Sequence, residues 1–318
     1  MKALAYDKFG SLDVLRVAEL PTPPLAKGHV LVGVRASAVN VIDNRVRSGM
    51  MGPLVNKTFP KVPGGDVAGI VQEVGEGVTG LKRGDVVFGA VDPFKGGAFA
   101  EFAAVPASQL ALMPAELSFE TSASLPIAGV AALASMRDLG QVKSGSKVLV
   151  HGGSGAVGLF AIQIAKHLGA HVTSVAGTAG LAAMRDAGSD IVLDYRKPES
   201  ASALVGPYDV ILNASGALPY AKARALLAAA GRLIEPSPTI PLVIGSKIAN
   251  LFRRHKHLAL MAKPSRIDLE LLANWVIDGI LQPTIALTFP LSQARDALAA
   301  MERGGVVGKV IISPVSAT

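Results

Sequence analysis

The sequence predicts an α/β protein in which a β-rich first third leads into a doubly wound parallel sheet. Three observations carry that prediction. A glycine-rich turn, His151-Gly-Gly-Ser-Gly-Ala-Val-Gly158, separates a strand-like apolar run from a helix-like one. From about residue 118 to 262, short apolar strands alternate with alanine-rich helices, the mark of βαβ units. Before that, turn residues recur at short spacing, as antiparallel strands require.

Composition sets the outer limits. The 318 residues suggest two domains of ordinary size or one large one, and 50% hydrophobic with 17% charged residues disfavours long disordered stretches. The absence of cysteine excludes disulfides, thiolate catalysis and Cys-ligated zinc or iron–sulfur centres. Forty-nine alanines account for much of the apolar content, so it does not imply a membrane protein. The one uncharged run of transmembrane length, Val148 to Ala165, holds Gly152, Gly153, Gly155 and Gly158 and reads as strand–turn–helix. MKALAYDKFG has no apolar core and carries Asp7, so no signal peptide and a cytoplasmic location are expected. The net charge of +7 is dispersed apart from Arg253, Arg254, His255, Lys256 and His257, read as a solvated surface loop.

Each element follows from local pattern. Val30, Val32 and Val34 alternate and share one strand face, and Val67 to Val74 is a denser apolar run. Turns at Gly64-Gly65, Gly75, Gly77, Gly80, Gly84, Gly89 and Gly96-Gly97 suit a small barrel or sandwich. Lys147 to His151 reads as a strand, and Val157 to Leu168 as a helix stopped by Gly169. His171 to Val175, Ile191 to Asp194, Tyr208 to Asn213 and Arg232 to Glu235 read as strands, with helices near Leu181 to Asp186 and Tyr220 to Ala230. Ser265 and Asp268 stand in capping-box spacing ahead of a helix with Ile267, Leu271, Leu272, Trp275 and Val276 as its apolar face, Trp275 in the core. Val306 to Ile312 reads as a last strand.

Gly153, Gly155 and Gly158 match G-x-G-x-x-G between a strand and a helix, the context in which that pattern binds a dinucleotide. Gly153 is expected to permit the tight turn, Gly155 to leave room for a pyrophosphate, and Gly158 to let the helix close on the strand. Ser154, Ala156 and Val157 complete a turn whose helix N-terminus offers N–H groups and partial positive charge to phosphates. Sites for NAD place an acid about 20 residues further on. Ser174-Val-Ala-Gly-Thr178 has no acid there, and no Lys or Arg. Thr178 and Tyr195 are the expected hydrogen-bond donors to a 2′-phosphate, so the reading leans to NADPH, with NADH as the other option.

Further motifs run in a fixed order: Ala36-Ser-Ala-Val-Asn-Val-Ile-Asp43 with Arg47-Ser-Gly49, Pro63-Gly-Gly-Asp-Val-Ala-Gly69, Val74-Gly-Glu-Gly-Val78, Gly84-Asp-Val-Val87, Leu125-Pro-Ile-Ala-Gly129, the glycine turn, Asp194-Tyr195, and Gly305-Val-Val-Gly-Lys-Val310. With these the chain resembles the zinc-independent medium-chain dehydrogenase/reductase family, in its quinone oxidoreductase-like branch, from Met1 to about Ile312. The resemblance implies a GroES-like barrel over 1–122 completed by 263–318, with a Rossmann domain over 123–262 inserted. It implies hydride transfer between NAD(P)H, commonly NADPH, and a small molecule. It also implies a homodimer, with 241–261 as the expected edge. No membrane or nucleic-acid partner is expected.

The same resemblance places Asn40 near the nicotinamide ribose or the substrate carbonyl, with Asp43 and Arg45 as further catalytic candidates. Against these stand plainer readings: Asn40 capping a turn, Asp43 satisfying loop backbone, Arg45 facing water. Ala214 in Asn213-Ala-Ser-Gly216 is expected beside the nicotinamide, and Ser237 at another cofactor-facing edge. Val307, Gly308 and Lys309 form the C-terminal turn that approaches the cofactor. Ala131 and Ala179 depart from a threonine and an arginine that relatives often use around the cofactor.

Zinc-dependent members carry Cys where Asn40 stands and His-Glu where Gly65-Asp66 stands, and the six histidines here are scattered along the chain, so no metal site is expected. Without a Lewis acid, reactions whose developing charge spreads through the substrate's own π-system are favoured, which predicts quinone or enone C=C reduction. A non-catalytic nucleotide-binding relative acting through a protein or RNA partner is the competing reading, supported by the Arg253 to His257 cluster alone. A zinc-free alcohol or sugar dehydrogenase lacks an obvious Tyr–Lys pair.

Overall fold

A computed structural model describes residues 1–236, 246, 250, 254–260 and 263–314. The chain divides into two compact units: Met1–Ile127 with Pro264–Ile277 and Ile285–Thr318, and Ala128–Lys263 with Asp278–Thr284. The first begins with an antiparallel ribbon of β1 (Lys2–Ala5) and β2 (Arg16–Glu19). Then come β3 (His29–Val39), helix α1 (Val41–Arg47), β4 (Asp66–Val74), β5 (Val86–Ala90), β6 (Phe102–Pro106) and β7 (Leu110–Leu112). Val30, Val32 and Val34 are fully inward, as their alternation requires, and pack with Val67, Val71, Val87, Val105 and Leu110. β3 is bent by irregularities near Leu31 and Val34 and is long enough to change partners: it pairs with β6 along His29–Gly33 and with a C-terminal strand along Ser37–Val39. Its close approach to β4 explains a motif glycine, because a Cβ on Gly69 would lie 2.1 Å from the Gly33 carbonyl oxygen.

The second unit holds a six-stranded, all-parallel sheet: β8 (Lys147–His151), β9 (His171–Ala176), β10 (Ile191–Asp194), β11 (Tyr208–Asn213), β12 (Leu227–Glu235) and β13 (Lys256–Ala259). The order β10-β9-β8-β11-β12-β13 reverses direction between β8 and β11, the switch point beside which open α/β sheets bind ligands. Helix α2 (Ala156–His167) follows the glycine turn. Helix α3 (Tyr220–Leu226) ends before the expected Ala230. The alanines at 228–230 favour helix locally, but pairing of Leu227 with Tyr208 draws them into β12. The described part of the basic cluster is a solvated bend only at Arg254 and His255: Lys256 and His257 lie in β13, Lys256 Nζ donates to the Asn250 carbonyl (2.6 Å), and the His257 ring stacks on Tyr220 at 5.0 Å. Arg253 lies outside the described residues.

The chain then returns to the first unit with α4 (Arg266–Ile277), β14 (Ile285–Pro290), α5 (Ala294–Arg303) and β15 (Lys309–Ser313). Ser265 Oγ accepts from Asp268 N at 3.2 Å, so the expected cap forms. The buried face of α4 is Leu269, Leu272 and Ala273; Ile267 is 77% exposed and Trp275 only half-buried. Arg266 Nε bonds the Leu110 carbonyl at 3.1 Å, which sets a rotation of α4 different from the expected one. β15 runs parallel to β14 and antiparallel to β3, and α5 packs Ala297 and Leu298 among Leu4, Tyr6, Val39, Val310 and Ile312. No helix among the described residues is long and apolar enough to cross a membrane.

Candidate active site

The glycine turn divides its work differently from the sequence expectation. The left-handed residue of the tight turn is Gly152 (φ +88°), not Gly153. A Cβ on Gly153 would meet Met184 Sδ at 2.5 Å, and one on Gly158 would lie 2.3 Å from the Gly152 carbonyl oxygen, so both glycines serve close packing. Gly155 differs: it is the N-cap of α2, no side chain caps it, and a Cβ there meets nothing nearer than 3.7 Å. Open space over an uncapped helix N-terminus suits a pyrophosphate, so the residues present fit a dinucleotide. Ser154 Cβ packs against Gly180, while Ala156 and Val157 open the helix.

At the neighbouring strand ends, Thr178 Oγ1 donates to Asp194 Oδ2 (2.6 Å) and Arg196 N donates to Asp194 Oδ1 (3.0 Å). The Thr178 hydroxyl, then the Arg196 N–H, hold the Asp194 carboxyl below the usual carboxylate range. Thr178 therefore has no proton to offer a phosphate, contrary to the sequence expectation. Tyr195 is 60% exposed, with the Arg196 guanidinium 5.6 Å from its ring centroid. The same guanidinium lies 3.5 Å from where a Gly177 Cβ would stand. Arg196 is thus a cation beside the residue that follows β9, and sequence reasoning missed it. The available signal was its place directly after Tyr195, at the end of the adjacent strand.

Ala214 is half-buried in the turn after β11. Ser237 and most of the expected dimer edge at 241–261 lie outside the described residues.

In the first unit, Asn40 and Asp43 come together with Asp66 and Lys309, all at most 9% exposed. Lys309 Nζ lies 2.9 Å from both Asn40 Oδ1 and Asp66 Oδ2. Asn40 Nδ2 donates to Asp66 Oδ2 (2.8 Å) and to the Ala38 carbonyl (3.1 Å), while Asp66 Oδ1 accepts from Ile127 N (2.8 Å). Both amide protons of Asn40 are therefore engaged, and Oδ1 takes the Lys309 ammonium while the side chain faces the Asp43 N–H in the capping box of α1, so Asn40 does cap a turn. Asp43 Oδ2 accepts the Asn40 backbone N–H at 2.7 Å, closing the first turn of α1. Burial pushes the Asp43 carboxyl up to about 7, against the Asn40 N–H and Lys309, with nearby Asp66 adding to the rise. Arg45 is half-buried on α1. Val307 and Gly308 (φ +92°) lead into β15, and the ammonium of Lys309 is turned inward onto Asp66 and Asn40. The sequence places Lys309 beside the cofactor and gives no sign that Asp66 is its partner; only folding brings the two together, across 243 residues.

The comparisons agree with this architecture. Residues 26–115 match the alcohol dehydrogenase GroES-like domain and residues 187–312 the zinc-binding dehydrogenase family. A chloroplast envelope quinone oxidoreductase homolog of Arabidopsis thaliana is 33% identical, over 99% of this chain and 98% of its own length. An NADPH-dependent alkenal/one oxidoreductase of the same plant is 32% identical, over 99% and 80%. The structure of the quinone oxidoreductase from Coxiella burnetii superposes with a TM-score of 0.90 at 29% identity, covering 99% of each chain. The chain belongs to the medium-chain dehydrogenase/reductase family, in its quinone oxidoreductase-like branch, with a GroES-like domain and a Rossmann sheet. Zinc is implied by one matched family's description, and the donors here do not suit it: there is no cysteine, and no cluster of three or more His, Asp or Glu that could hold a metal among the described residues.

Proposed function

We propose that this protein is a metal-independent, NADPH-preferring reductase of quinones or of the C=C bond of α,β-unsaturated carbonyls. The observation that carries the reading is the buried Asn40–Asp66–Lys309 cluster, in which an amide and a carboxylate stand where zinc-dependent members carry metal ligands and the Lys309 ammonium bonds both. Bound NADPH supplies the hydride. Gly155 and the α2 N-terminus hold the pyrophosphate, and Arg196 with the exposed Tyr195 holds the 2′-phosphate. A conjugated acceptor needs little more, because its own π-system spreads the developing charge. The likeness to an alkenal/one oxidoreductase and to quinone oxidoreductases supports this substrate class. The non-catalytic alternative has weaker support, since Lys256 and His257 of the basic cluster are folded into β13.

The test is NADPH oxidation by the purified protein with a naphthoquinone and with a 2-alkenal, each with and without a strong chelator. Turnover on at least one class, unchanged by the chelator and faster with NADPH than NADH, is expected. Intact NADPH binding with no turnover on either class overturns the proposal. The same preparation should sediment as a homodimer.

A further inference from the structure

His151 ends β8 at the switch point, directly before the glycine turn, and its ring leans toward β11. Its Nδ1 lies 2.6 Å from Ser215 Oγ, which lies 3.2 Å from Asn213 Oδ1. The orientation of the Asn213 amide is fixed, because Nδ2 points at two groups that only accept, the Leu218 carbonyl (3.1 Å) and Glu235 Oε1 (3.0 Å). Oδ1 in turn accepts from Leu218 N at 3.2 Å. Ser215 Oγ also accepts from Ala217 N at 3.0 Å. One proton arrangement satisfies every contact: Ser215 donates to Asn213, and His151 Nδ1–H donates to Ser215. The reverse would leave two acceptor oxygens facing each other. Burial lowers the His151 pKa against the pull of Glu235, so the ring is neutral at pH 7. His151 Nε2 is then an unprotonated acceptor with no hydrogen-bond partner among the described residues.

The position of the ring selects the ligand half. In sheets of this order the adenosine half lies over the β9 side and the nicotinamide half crosses toward the β11 side. His151 is tied to the β11 turn, through its ring and through Ser215 N donating to its carbonyl (3.0 Å). We propose that His151 is a cofactor-binding residue whose Nε2 accepts a hydrogen bond from a donor on the nicotinamide half of the dinucleotide. Ser215 is its positioning residue, holding the proton on Nδ1. The proposal rests on the reading that this crevice binds NADPH.

Two replacements separate the ring nitrogens. In His151→Asn the amide reaches the place of Nδ1 and can still donate to Ser215, but nothing accepts at the place of Nε2. In His151→Gln the amide oxygen can take that place. Equilibrium titrations with NADPH, NADH and adenosine 2′,5′-bisphosphate, with melting temperature as a folding control, read the difference. His151→Asn should weaken NADPH about tenfold. Adenosine bisphosphate affinity should stay unchanged, and His151→Gln should recover most of the loss. The 3-acetylpyridine analogue of NADPH, which lacks the carboxamide N–H, identifies the donor. If the His151→Asn penalty vanishes with it, the donor is the carboxamide; if the penalty persists, it is a ribose hydroxyl. An unchanged NADPH affinity in a folded His151→Asn, or an equal loss for the bisphosphate, overturns the assignment of His151 alone. Failure of the wild type to bind either dinucleotide overturns the function proposed above, and this assignment with it.

Discussion

Asp43 has one carboxyl oxygen, Oδ1, buried with no hydrogen-bond partner among the described residues, in a barrel where Asp66 is already paired with Lys309. Its pKa is raised from 3.8 to about 7, so the folded protein keeps a proton that the unfolded chain releases. That contribution is complete below the unfolded value and is lost as pH rises through the folded one. Wild-type stability should therefore fall between about pH 4 and about pH 7, by on the order of 4 kcal/mol, and then level. Asp43→Asn cannot titrate yet keeps an acceptor for Asn40 N–H, so its urea-unfolding free energy should lack this slope; an identical slope in the variant contradicts the assignment. Arg196→Ala should weaken NADPH about tenfold by losing a charge-assisted contact and leave NADH unchanged, read as two dissociation constants. Equal losses for both dinucleotides would remove Arg196 from the 2′-phosphate site.

The element that matters most is the β8–turn–α2 unit, because its glycines have separable duties. Gly155 has ordinary backbone angles (φ −74°, ψ 166°) and open space, and aspartate is a good N-cap. Gly155→Asp should keep or raise the melting temperature while abolishing nucleotide binding through charge repulsion. Gly158→Ala should instead cost about 1–3 kcal/mol of stability by forcing a methyl into the Gly152 carbonyl. β15 makes a similar point: Lys309→Met leaves Asp66 buried and unpaired, and should cost about 3–5 kcal/mol. Strand and helix positions were readable where apolar periodicity was strong, so β8, β10 and β11 begin and end where the sequence places them. The end of α3 and the rotation of α4 were not, because pairing with Tyr208 and the Arg266–Leu110 bond are long-range contacts. The site shows the same division. The glycine turn is local and was legible, whereas the Asp66–Lys309 pair is not.

At the scale of the molecule, the absent cysteines, the amide at Asn40 and the inward ammonium of Lys309 form one argument about chemistry: this member of the family is built around a buried organic cation and no metal-ligand set among the described residues. The net charge of +7 suits a phosphate-rich ligand but selects none. The path of the hydride separates a metal-free enone reductase from a zinc-dependent alcohol dehydrogenase. Chelator-dialysed protein is given an enone and NADPH deuterated at the transferred position of C4, and the product is located by NMR. A saturated ketone with deuterium on the β-carbon and a solvent proton on the α-carbon is expected. Deuterium on the carbonyl carbon of an alcohol, or activity that returns only when zinc is added, would contradict metal-free enone reduction.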